Sequence, residues 1–128
     1  MTRPKDPCLS SDELTRFQTL LPFVKSMHSD IRELSRKNQN AALSKSRIDI
    51  INRLLADVKS LLANEPTAEY LPTIDDATVP QNADALIILG QFTAAMDQYK
   101  NKYTYFDVDE DAVCWRVKGR SGVTAEDL

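Results

Sequence analysis

In ADALIILGQFTAAMDQYKNKY, residues 83–103, two apolar patterns meet. Leu86, Ile87, Ile88 and Leu89 are four consecutive aliphatics. At about 100° per residue they point to every side of a helix, which predicts a turn wrapped by protein all round. After them the pattern narrows to one stripe, Leu89, Phe92, Met96, Tyr99 and Tyr103. The segment therefore predicts a helix capped by Asn82 whose first turns sit at the centre of a small core. Gly90 and Ala94, four apart, leave room for a neighbouring helix to approach closely.

Upstream, two further helices are expected. Ser10 or Ser11 caps the first, with Asp12 and Glu13 placed to complement its dipole. Its apolar positions run Leu14, Phe17, Leu20/Leu21, Val24, Met27/His28, Ile31 and Leu34. Pro22 falls inside this stripe without changing its phase, so it either kinks one helix or opens a second. RKNQN (36–40) is a polar turn. The next helix begins between Asn40 and Ser44, follows Ile48, Ile51, Leu54/Leu55, Val58 and Leu61/Leu62, and ends at Asn64-Glu65-Pro66. Residues 65–82 hold three prolines. A short helical turn at Thr67–Leu71 is expected there, with Tyr70, Leu71, Ile74 and Val79 pinned to the bundle.

The end of the chain changes character. In YTYFDVDEDAVCWRVKG, Val113, Trp115 and Val117 alternate with Cys114 and Arg116, the period of an extended segment. Tyr103–Val108 can pair with it across Asp109–Asp111, a short helix being the alternative. The expected class is all-α: a small bundle of three to four main helices with a short extended C-terminal segment. Residues 10–118 form its single domain, and 1–9 and 119–128 are expected as flexible tails.

Composition sets outer limits. The chain has 128 residues, 42% hydrophobic and 27% charged, ordinary for one domain that folds without disulfides or metal. Three glycines disfavour an all-β fold or a phosphate loop. No apolar leader is visible near Met1 and no stretch is long enough for a membrane span, so the expected location is cytoplasmic, with Cys8 and Cys114 as free thiols. Net charge is −3 and unevenly spread. Residues 1–64 carry eleven Lys/Arg and seven Asp/Glu, whereas residues 65–128 carry five and twelve.

Four groups of residues invite a functional reading. His28 is the sole histidine; on an apolar stripe it reads as a core-boundary residue rather than a catalyst. Asp107, Asp109 and Asp111, with Glu110, resemble the opening of an EF-hand loop. The match then fails, because Ala112 takes the place of the turn glycine and Lys118 that of the bidentate glutamate. No metal, cofactor or catalytic residue set is predicted. Arg32, Arg36, Lys37, Lys45 and Arg47 cluster around the first inter-helix turn, an anion or nucleic-acid contact in the alternative reading. The acidic total and the lack of aromatics among these residues disfavour nucleic acid. Five of the chain's aromatics lie between Tyr99 and Trp115, mixed with acids. Large amphipathic rings are common interface anchors. The expected function is therefore a non-catalytic protein-interaction module, with Tyr103, Tyr105, Phe106, Asp109, Glu110 and Trp115 as contacts for a protein partner. A homodimer is one possible assembly.

Overall fold

The computed structural model describes residues 6–125. Three helices carry most of them: α1 (Ser11–Lys37), α2 (Lys45–Leu61) and α3 (Asn82–Lys102). Three strands follow, β1 (Thr104–Asp107), β2 (Ala112–Val117) and β3 (Arg120–Thr124), paired antiparallel in the order β1-β2-β3. The all-α expectation is thus corrected to α+β: the extended C-terminal segment is a three-stranded sheet.

Local chemistry places the helices where the periodicity puts them. Ser10 caps α1 in a full capping box, its hydroxyl accepting from the Glu13 N–H while the Glu13 carboxylate accepts from the Ser10 N–H. Pro22 lies inside one continuous α1. Ser44 caps α2 by accepting from the Arg47 N–H. Helix α1 is the shared partner, packing on both α2 and α3. Its Phe17 meets Tyr99 and its His28 faces Gly90, so α1 and α3 run antiparallel.

The all-round wrapping expected of residues 86–89 does not occur. Ala85 and Leu89 are buried, Leu86 and Ile88 are half-buried, and Ile87 is 64% exposed. The reason is layering. Helix α3 has its helical neighbour on one side only, so Ala85, Leu89, Phe92, Ala95, Met96 and Tyr99 form its single buried stripe.

Asn82 also has a different task from the one expected. Gln81 caps α3, whereas Asn82, a buried polar side chain, donates to the carbonyls of Asn38 and Leu34 at the end of α1. It thereby closes orphan carbonyls of one helix from the first turn of another. The 65–82 connection holds two short 3₁₀ turns, Pro66–Tyr70 and Asp76–Thr78. Its Leu71 and Ile74 are buried, and the Asn52 amide clamps Ile74 with two hydrogen bonds, of 2.8 and 3.0 Å. Tyr70 and Val79, expected against the bundle, are exposed. Backbone bonding fixes this path, and both side chains turn outward from it.

The expected tails are likewise corrected where they are described. Leu9 is buried and its backbone pairs with β2, its N–H donating to Arg116 O and its carbonyl accepting from Lys118 N. Residues 120–124 are β3, joined to β2 through Lys118-Gly119, with Gly119 at φ +72°. That conformation is open to glycine at little cost. Residues 1–5 and 126–128 of those tails lie outside the described residues.

Two substitutions test this account. A methyl at Gly90 would sit 3.9 Å from His28 Nε2, an ordinary contact. Gly90→Ala should therefore stabilise the fold by about 0.5–1 kcal/mol through helix propensity and a less flexible unfolded chain. Val79 holds φ +52° while 68% exposed, a poor conformation for a β-branched residue. Val79→Asn should stabilise by about 1 kcal/mol. Chemical denaturation of each single variant checks both signs; a loss of stability in either refutes the packing or strain described.

Candidate functional site

The sheet sits where α1 begins and α3 ends, and it is anchored there by its inner face. Trp115 and Tyr103 are buried in the main core, so two of the six expected contact residues are structural. The Trp115 ring meets Phe17 edge-on at 5.1 Å, and Tyr103 packs on Tyr99 at 4.9 Å. Tyr105 lies on the opposite face of the sheet, half-buried beneath the Arg116 guanidinium.

Further along the hairpin the inner face runs past the helices. Phe106 pairs directly with Val113 across β1 and β2, two residues on from the Thr104–Trp115 pair. Side chains two apart share a face. Phe106 and Val113 therefore share Trp115's face, yet are 59% and 43% exposed. Val108, in the turn, is 81% exposed. The acids there build the turn. Asp107 Oδ1 accepts from the N–H groups of Asp109 and Glu110, and Asp107 Oδ2 accepts from the Tyr105 hydroxyl. Asp111 adopts φ +50°, which aspartate tolerates. Asp109, Glu110 and Asp111 are exposed and enter no ion pair among the described residues. The D-x-D-x-D run is thus a turn motif. Among the described residues no three His, Cys, Asp or Glu side chains are grouped to hold a metal ion.

Beside the sheet, Glu65 organises a polar cluster that the sequence did not disclose. Its carboxylate accepts from Lys102 Nζ at 2.9 Å and from the Tyr103 hydroxyl at 2.8 Å. The hydrogen bond to Glu65 raises Lys102 above the ordinary lysine range. Burial, then the same carboxylate, raises Tyr103. Tyr99, stacked on Phe17, is raised further by burial and by the nearby Glu13 charge, and its hydroxyl has no hydrogen-bond partner among the described residues. A cleft of 380 Å³ between Glu65, Thr67, Gln98 and Lys102 adjoins this cluster.

The basic tip is less cationic than its residue list suggests. Arg36 pairs with Glu33 at 3.1 Å and Lys45 with Asp76 at 3.3 Å. A groove of 510 Å³ beside Lys37 and Arg47 is also lined by Asp30, Glu33 and apolar Ile50. Burial, then the Arg32 charge, lowers His28 below its ordinary range. His28 lies eleven residues along α1 from Phe17, roughly 16 Å, so it is remote from the hairpin acids. The structure does not bring them together.

Comparison with protein-family models, with curated proteins and with solved structures gives no match to this chain. Among the described residues no helix is long and apolar enough to cross a membrane.

The Tyr99 hydroxyl supplies a test. A buried hydroxyl without a partner costs about 1–3 kcal/mol, so Tyr99→Phe should stabilise the protein by about 1 kcal/mol at neutral pH. The pH response follows from the raised phenols. Near the ordinary value of 10.0 the unfolded chain releases protons that Tyr99 and Tyr103 retain in the fold. The tyrosine contribution to stability is therefore full below that pH and falls as pH rises through it. The fall should be shallower in Tyr99→Phe. Denaturant melts between pH 7 and about 11 measure both effects; an unchanged slope contradicts the assignment.

Proposed function

We propose that this chain is a non-catalytic protein-interaction module that docks its partner on the overhanging end of the β1–β2 hairpin. One observation carries the reading: Phe106, Val108 and Val113 stand exposed beyond the helical layer, next to turn acids that enter no ion pair among the described residues. The partner this surface fits is a segment with apolar anchors flanked by Lys or Arg. Covering three such side chains is worth roughly 3 kcal/mol by area. That is well short of the about 8 kcal/mol of a micromolar complex. The exposed carboxylates of Asp109, Glu110 and Asp111 each add at most about 1 kcal/mol and steer encounter with a cationic partner, so this contact alone is weaker than micromolar. Tyr103, Tyr105 and Trp115 position the hairpin and leave contact to Phe106, Val108 and Val113. Free thiols at Cys8 and Cys114 support a reducing, cytoplasmic setting. The nucleic-acid alternative at Arg32–Arg47 loses support because two of its five cations are already paired.

A photo-crosslinking residue at position 106 should capture a discrete partner contact, whereas one at Ile87, equally exposed on α3, should not. Phe106→Ser with Val113→Thr should weaken that contact about tenfold while helical circular dichroism is unchanged. Asp109→Asn with Glu110→Gln should reduce its salt dependence. Equal capture from both positions overturns the surface. Capture of a second copy of the chain, seen also by light scattering, replaces the basic partner with a homodimer.

A further inference from the structure

The largest cleft among those described lies away from the hairpin tip, where the segment before α1 crosses the β2–β3 turn. It is an open cleft of 710 Å³ lined by Arg116, Lys118, Arg120, Tyr105, Cys8 and Asp6, among others. Residues 65–128 carry only five Lys/Arg, and three of them line this one cleft. Among the described residues that line it, a single carboxylate, Asp6, opposes them. Lys118 and Arg120 are exposed and enter no ion pair among the described residues. In a chain of net charge −3 this is a local reversal of sign.

Arg116 differs from its two neighbours in being held. Its Nη1 donates to the carbonyls of Lys102 at 2.9 Å and Thr104 at 3.0 Å, and its guanidinium lies 5.4 Å over the Tyr105 ring. Two of its five N–H donors are thereby fixed and three remain. A guanidinium oriented in advance loses little freedom when it meets an oxyanion, and its fork suits paired oxygens. Lys118 and Arg120, flanking the turn, add mobile charge.

We propose that this cleft binds the phosphate monoester of a small organic molecule. The charge of the described lining, three cations against one carboxylate, suits a dianion. The volume exceeds what a bare phosphate fills and falls within the range of small-molecule sites. Arg116 takes two phosphate oxygens, Lys118 and Arg120 close on the third, and Tyr105 and the Cys8 side chain face the organic part. The site lies apart from the hairpin surface, so the two assignments stand or fall separately.

Cys8 provides a local reporter, because it is exposed while Cys114 is buried. At low ionic strength, ribose 5-phosphate should slow alkylation of Cys8 by neutral iodoacetamide in a saturable way. It should also shift amide resonances of residues 116–121 in heteronuclear NMR. Ribose should do neither. Lys118→Gln with Arg120→Gln, both exposed and outside the core, should weaken binding about tenfold or more. Arg116→Lys should weaken it too, and its unchanged amide spectrum elsewhere would separate binding from folding. Asp6→Asn should tighten binding. No protection at millimolar ligand, or equal binding by the Lys118/Arg120 double variant, overturns the site. Inorganic phosphate binding as tightly as the sugar phosphate overturns the organic component.

Discussion

Phe17 is the point at which the two halves of the fold lock. It comes from α1, stacks on Tyr99 of α3 at 5.4 Å and receives the edge of Trp115 of β2 at 5.1 Å. All three rings are buried. Truncating a core phenylalanine costs about 3–5 kcal/mol, a large part of the about 5–15 kcal/mol that holds a typical domain together. Here the loss would also weaken the seat of the sheet, which is tied to the core as well by Leu9, Tyr103, Val117 and the half-buried Val123. Both candidate surfaces hang from this sheet, so both depend on the same ring cluster.

The sheet segregates charge. Its tip carries Asp109, Glu110 and Asp111, whereas Arg116, Lys118 and Arg120 gather toward the other end of β2, around the β2–β3 turn. The separation follows from strand geometry. Inward positions on β2 are taken by Trp115 and Val117, so Arg116 must face outward. The acids fall in the β1–β2 turn, where Asp107 accepts backbone N–H groups in place of the ladder. A surface with opposite signs at opposite ends of one small sheet can address two unlike ligands without interference.

Much of the helical layer was legible because its signals are local. Ser10 and Ser44 stand at the right offset from their stripes, and both cap. Residues 86–89 misled because periodicity counts apolar positions and is blind to how many neighbours surround them; Ile87 is left mostly exposed. The alternation over 113–117 and the acidic hairpin turn were readable. Strand β3 was not, since Arg120–Thr124 offers one large apolar residue and is held by backbone pairing and the Gly119 turn. Trp115 and Phe106 are both large aromatics on one sheet face, and only the extent of the helices beneath them decides which is core. The Glu65 cluster joins residues 37 and 38 positions apart, and the Arg116 cleft brings Asp6 and Cys8 against residues 116–121, both beyond the reach of local pattern.

Leu9 precedes the first helix, yet its backbone bonds to Arg116 and Lys118, more than a hundred positions later. Closing a loop of that length is entropically unfavourable until the intervening helices have already brought its ends near. The hairpins β1–β2 and β2–β3 close within a few residues, so the long-range cost falls on the Leu9 seam alone, which stitches the first described residues to the C-terminal layer of the chain.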